Sequence, residues 1–93
     1  MIGSLKGRLA KQIAAGEKPR NFPTTLLEPA QLRLAALRFA TRLGDLRVPP
    51  GNRLEALQGD RKGQHSIRIN SQWRICFRWI DGRAEDVEIT DYH

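Results

Sequence analysis

The stretch Trp73-Arg74-Ile75-Cys76-Phe77-Arg78-Trp79 puts every large apolar side chain at an odd position, with Arg74, Cys76 and Arg78 between them. Side chains of a strand alternate between its two sides, so this segment reads as a strand with one buried and one polar face. The same parity runs through its neighbours. Ile67 and Ile69 alternate with Ser66 and Arg68, and Val87 and Ile89 alternate with Glu88 and Thr90. Runs 53–58, 64–69, 73–79 and 84–90 are separated by Gly59-Asp60-Arg61-Lys62-Gly63, Asn70-Ser71-Gln72 and Asp81-Gly82-Arg83. Short gaps of turn-forming residues between alternating runs predict a four-stranded antiparallel meander.

Upstream the period is helical. Residues 4–16 carry Leu5, Leu9 and Ile13 at every fourth position, with Ser4 as a cap and Gly16 as a stop. Residues 17–28 hold Pro19 and Pro23 and read as a loop. A second helix begins near Pro29 and runs to about Leu43, with Leu32, Ala36, Phe39, Ala40 and Leu43 on one face and Gly44 as its end. Pro49-Pro50-Gly51 cannot continue a helix. The expected fold is α+β, a single domain over residues 1–93. Two N-terminal helices pack on one face of a twisted antiparallel sheet of four main strands. Its expected core is Leu32, Ala36, Phe39, Ile67, Ile75, Phe77, Val87 and Ile89.

Register follows from parity, because a one-residue slip turns a whole strand over. A three-residue loop at 70–72 pairs Ile69 with Trp73 and Ile67 with Ile75, which sets Arg68 directly opposite Arg74. Like charges in that position destabilise a sheet unless something binds between them. A three-residue loop at 81–83 pairs Phe77 with Val87 and Ile75 with Ile89. A two-residue Asp-Gly turn would set Phe77 against Asp86, so the longer loop is expected. Thr90 then falls beside Arg74 and Asp91 beside Trp73, and the segment Asp91-Tyr92-His93 converges on the arginine pair. A solvated face with ordinary arginines is the plain reading. A phosphate-binding site is the other, and it accounts for the unneutralised pair and the titratable segment together.

Charge supports an anionic partner. Sixteen Lys and Arg against ten Asp and Glu leave +6 in 93 residues, with a pI near 10.5. Nucleic acid is the commonest polyanion for such a domain. No apolar run approaches the roughly 20 residues of a membrane span, and Lys6, Arg8 and Lys11 interrupt the first segment, which does not resemble a secretory signal. The lone Cys76 excludes an internal disulfide, and a reducing, cytoplasmic setting is expected. His65 shares the apolar parity of its strand and reads as packed. Cys76 reads as a small buried or half-buried filler with no histidine near it, and Trp73 and Trp79 as packing residues. Arg61 and Lys62 lie in a turn, where charge is common, yet are placed to grip a phosphate backbone. Two histidines and one cysteine so separated make no metal site.

The second half is also recognisable. Leu46-Arg47, Pro49-Pro50-Gly51-Asn52-Arg53-Leu54-Glu55, Leu57, Gly59, Gly63, Ser66-Ile67-Arg68, Asn70, Gln72-Trp73-Arg74, Cys76-Phe77, Trp79, Val87-Glu88-Ile89 and Asp91-Tyr92-His93 together resemble the HigB branch of the RelE/ParE toxin superfamily. The resemblance covers residues 46–93; residues 4–43 match in pattern only, and the family's first strand would fall at residues 1–4. It implies the toxin of a type II toxin–antitoxin pair. Such a toxin cuts mRNA on the ribosome without a metal or other cofactor. A HigA-type helix-turn-helix antitoxin holds it in check, and operator DNA is met only through that antitoxin.

Metal-free cleavage has the RNA 2′-OH attack its neighbouring phosphate, which calls for an acid, a base and cations on the phosphorane. Carried onto this chain, His93 is the general acid or base, Asp91 orients it, and Tyr92 positions the nucleotide or shares proton transfer. Arg74 and Arg68 stabilise the phosphorane. Arg53, Arg61, Lys62 and Arg78 contact the RNA or ribosomal backbone. Some members carry histidine where this chain has Glu55, so the base is either Glu55 or His93. The alternatives are a ParE-like inhibitor that binds a protein target and an inactive RNA-binding module. The cluster of Arg74 with Asp91-Tyr92-His93 favours the nuclease, since a pure binder has no use for it.

Overall fold

The computed structural model describes residues 1–91. Helix α1 spans Arg8–Ala14 and α2 spans Leu27–Phe39, followed by strands β1 (Glu55–Ala56), β2 (His65–Arg68), β3 (Trp73–Ile80) and β4 (Arg83–Asp91). The four strands form one antiparallel sheet in the order β1-β2-β3-β4. Ala10 and Ile13 of α1, Ala30, Leu34 and Leu37 of α2, and Ile67, Ile75, Phe77, Val87 and Ile89 of the sheet are buried in one cluster. The apolar parity of the sheet and the buried sides of both helices thus share a core.

Three expectations about the helical half are corrected. Helix α1 starts at Arg8, not at Ser4, because Gly7 precedes it at φ 84° without any capping side chain. Ser4 instead binds the far end of the chain. Its hydroxyl donates to Glu85 Oε1 at 2.8 Å and accepts the Asp86 amide at 2.8 Å. Residues 1–6 run parallel to β4, with Gly3 donating to the Ala84 carbonyl and Lys6 to that of Val87, both at 2.8 Å.

The buried stripe of α2 is Ala30, Leu34 and Leu37, spaced four and three apart. The expected core members Leu32 and Phe39 are 58% and 83% exposed, and Ala36 is half-buried. Eight of the thirteen residues of α2 are Leu, Ala or Phe, so two apolar stripes compete, and the helix alone does not decide between them. The helix also stops at Phe39, with Ala40 extended. Leu43–Arg47 forms a separate 3₁₀ turn, where Asp45 Oδ2 accepts the amides of Thr41 and Arg42 at 3.0 and 3.1 Å. Those two backbone bonds hold the Asp45 carboxyl below the ordinary carboxylate range.

In the sheet, β2 and β3 pair as parity requires, with Ile67 opposite Ile75 and Arg68 opposite Arg74. The β3–β4 turn differs from the expected three-residue loop. Asp81 and Gly82 alone make it, at φ 51° and 76°, so both central residues are left-handed as in the tight turns that suit the twist of a hairpin. Ile80 pairs with Arg83 and Arg78 with Glu85. One extra residue on β4 then restores the parity. Asp86 sits at φ 52°, the register shifts between Cys76 and Arg78, and Ile75 still faces Ile89. The first strand is only Glu55–Ala56, shorter than the run 53–58.

Candidate active site

Arg74 is the anchor of the polar face. It is 9% exposed, which for an arginine demands hydrogen-bond partners. Its Nε donates to Ser66 Oγ at 2.7 Å and its Nη2 to the Arg53 carbonyl at 2.8 Å. Glu55 Oε1 stands 3.8 Å from Nη2. Ser66, fully buried, faces Glu55 on β1 and Cys76 on β3. One guanidinium therefore ties the middle of the sheet to the loop entering β1.

That loop is built around Asn52, a residue that stands out in the sequence only as part of the family pattern. Asn52 is fully buried, and its Nδ2 donates to the carbonyls of Leu46 and Val48 at 3.2 and 3.3 Å. Arg53 follows in the left-handed region at φ 46°, its amide bonded to the Pro50 carbonyl at 3.1 Å. The fold thereby turns the Arg53 carbonyl toward Arg74 and leaves the rest of Arg53 exposed. The signal available in the sequence was an asparagine just after Pro-Pro-Gly, a residue that bonds backbone groups in turns.

Arg68 lies half-buried opposite Arg74, and its backbone carbonyl accepts Arg33 Nε from α2 at 3.0 Å. Thr90 lies beside Arg74 on the other side. Asp91 pairs with Trp73, one position further, and its Oδ2 accepts Gln72 Nε2 at 2.9 Å. By parity its side chain leaves on the Trp73 side of the sheet, not among the guanidinium groups. The expected convergence is thus one of position along the sheet: Asp91 ends β4 one residue beyond the Arg68–Arg74–Thr90 row. Tyr92 and His93 lie outside the described residues.

The remaining cations divide into bound and open. Arg61 Nη1 reaches Glu88 Oε1 at 3.0 Å and Gln64 Oε1 at 3.1 Å, and Arg78 Nε lies 3.7 Å from Asp86 Oδ2. Lys62 and Arg53 are exposed. Arg61 reaches across from the 59–63 turn to Glu88, the residue opposite Cys76. A Cβ on Gly63 would meet Arg78 Nη1 at 3.2 Å, so this turn lies over the polar face. It explains how Cys76, read as a small filler, is fully buried on the polar face. Burial pushes the Cys76 thiol up, with Arg61 and Arg74 opposing and Glu88 adding to the rise. A raised thiol is a poor nucleophile, and His65 stacks on Phe77 on the other parity at 6.2 Å. Neither group belongs to the site. What the face offers is a buried, oriented guanidinium, a second one opposite it, and a nearby carboxylate that is 54% exposed, a set suited to a phosphate and the proton of an adjacent hydroxyl.

The chain also has relatives among known sequences. Toxin HigB-1 of Vibrio cholerae serotype O1 is 43% identical over 85 residues, covering 90% of each chain. Endoribonuclease HigB of Proteus vulgaris is 33% identical over 93 residues, the whole of both chains. An uncharacterized protein of Haemophilus influenzae is 30% identical over 72 residues, 77% of this chain and 71% of that one. Residues 6–93 match the family described as the RelE-like toxin of type II toxin-antitoxin system HigB. With that match over nearly its whole length, the chain belongs to the HigB-like toxins of type II toxin–antitoxin systems.

Proposed function

We infer that this toxin acts as an endoribonuclease, the activity named for its Proteus vulgaris relative, and that it cuts mRNA being translated on the ribosome. The observation that carries the reading is the buried Arg74 guanidinium, fixed by Ser66 and Arg53 opposite a second arginine on an otherwise polar face. Arginine pairs bind phosphate oxygens in a forked geometry and keep their charge as a phosphorane forms. In this reading His93 moves the proton to or from the reacting oxygens, Asp91 orients it, and Tyr92 seats the nucleotide. Glu55, 3.8 Å from Arg74, is the base if His93 is the acid. Arg53, Lys62, Arg61 and Arg78 hold backbone phosphates of mRNA or ribosomal RNA, the last two by exchanging their present carboxylates for phosphate. The chemistry uses side chains alone, with no metal.

The antitoxin is of the HigA type and docks on the helical side, where α2 leaves Leu32 and Phe39 exposed beside Arg38. Exposed large apolar groups next to a cation suit a neutral or acidic partner. The test is primer extension on translated mRNA with purified ribosomes. His93→Ala and Arg74→Ala should each lower cleavage by 10²-fold or more, the scale of general acid–base and oxyanion contributions. Wild-type cleavage by His93→Ala refutes the assignment.

A further inference from the structure

Between α1, the loop after it and β3 lies a cleft of about 410 Å³ lined by Arg8, Leu9, Gln12, Pro19, Arg20, Asn21 and Trp73. That volume falls within the roughly 300–1,000 Å³ of small-molecule sites. Its chemistry is one-sided. Two arginines and two amides line it with no carboxylate, and neither arginine is ion-paired among the described residues. Leu9, Pro19 and Trp73 supply an apolar wall. Trp73 is 9% exposed, held edge-on by Phe22 at 4.9 Å, and its indole N–H is buried with no hydrogen-bond partner among the described residues. A buried N–H without an acceptor is costly and rare in a folded protein. Trp73 also pairs with Asp91, at the end of the sheet where the proposed acid–base segment begins.

The geometry points to a nucleotide-binding subsite here, separate from the arginine row on the opposite side of β3. It takes one nucleotide of single-stranded RNA flanking the cut phosphate. Arg8 and Arg20 hold its phosphate, the apolar wall takes the ring, and Gln12 and Asn21 read the base edge. Both amides offer a donor and an acceptor, as base recognition requires. The subsite rests on the nuclease reading for its substrate class, and it adds a strand path that wraps from the polar face around the end of β3 to the helical side.

The experiment uses the full chain with Trp79→Phe, which leaves Trp73 as the sole indole. The probe is a short oligoribonucleotide with 2′-O-methyl riboses, which binds without being cut. Saturable change in Trp73 emission is expected, with matching anisotropy of the labelled probe. Arg8→Ala with Arg20→Ala should weaken binding on the order of tenfold and flatten the dependence of log Kd on log salt by about 0.7 for each phosphate no longer neutralised. Gln12→Ala and Asn21→Ala should change base preference more than affinity. Unchanged affinity in the double arginine variant, or a Trp73 signal that stays silent while the probe binds, overturns the subsite. So does weakened antitoxin binding with RNA binding intact, which would make the cleft a protein-docking surface. Cleavage of translated mRNA is measured in parallel. A chain that cuts while Trp73 is silent overturns the subsite alone. One that reports binding but does not cut keeps the subsite and overturns the nuclease reading.

Discussion

The Ser66–Arg74 pair invites a double-mutant cycle, because one bond there serves both fold and site. Ser66→Ala removes the acceptor of Arg74 Nε, a bond of 2.7 Å between groups nine-tenths or more buried. The exchange changes the volume very little, so the loss is chiefly that of a hydrogen bond to a charged group, about 2 kcal/mol. In a domain of this size that is a fall in melting temperature of roughly 8–16 °C. Arg74→Ala removes the same bond and the 2.8 Å link to the Arg53 carbonyl, leaving Ser66 Oγ and that carbonyl without their donor. About 3 kcal/mol is expected, part of it from the packed aliphatic stem. Glu55 adds little, because it is half-exposed and 3.8 Å away. Since both variants delete one bond, the double variant should be more stable than the sum of the single losses by about 1–2 kcal/mol. Urea unfolding followed by circular dichroism measures all four corners. Additivity within about 0.4 kcal/mol would refute the view that Ser66 holds this guanidinium.

Other consequences are more direct. Gly3→Ala should destabilise the fold, because a Cβ there falls on the Glu85 carboxylate that Ser4 and Arg83 hold; a lowered melting temperature, restored in part by Glu85→Ala, checks this. Cys76 should resist alkylation at neutral pH in the native chain and react at once in urea, because it is fully buried with its thiol pushed up; fast native labelling would contradict that burial. The Asp45 carboxyl titrates below the ordinary aspartate value in the fold. Its stabilisation is therefore complete above the unfolded pKa, near 3.9, and lost as pH falls through the lower folded value. Asp45→Asn should show a shallower loss of stability with acid in that window.

What the sequence displayed of the fold follows from how each element is constrained. The sheet faces and the Arg68–Arg74 register were legible because strand parity has only two values and Trp73, Ile75, Phe77 and Ile67 all agree on one of them. The β3–β4 turn was not, because Asp86 absorbs one residue in the left-handed region, a conformation uncommon for any residue but glycine. The Ser4 hydroxyl, from the far end of the chain, accepts the Asp86 amide there. A local reading of residues 81–90 has no access to it. Helix α2 failed differently. Leu32 and Phe39 form as good a stripe as Leu34 and Leu37, and only tertiary packing chooses.

The candidate site was legible as a set of residues and illegible as a geometry, for a related reason. Parity put Arg68, Arg74 and Arg78 on the polar face, and they are there, but parity does not say what lies over that face. The 59–63 turn closes part of it, so Ser66 is buried on the side expected to meet water, and Cys76 is the buried filler its size suggested. Burial changes what Arg74 is. An arginine in water would lose the entropy of a long side chain each time it met a phosphate. Held by Ser66 and the Arg53 carbonyl, this one is already oriented. It commits Nε and Nη2 to the fold and keeps Nη1 for an anion. Arg68, less buried and opposite it, is the more adaptable of the pair. If both act on one phosphate, Arg74→Lys should lose more cleavage than Arg68→Lys. Lysine keeps the charge in each case, but only at position 74 does the replacement discard a fixed orientation. Equal losses in the two lysine variants would mean that charge alone matters and that the buried scaffold serves stability only.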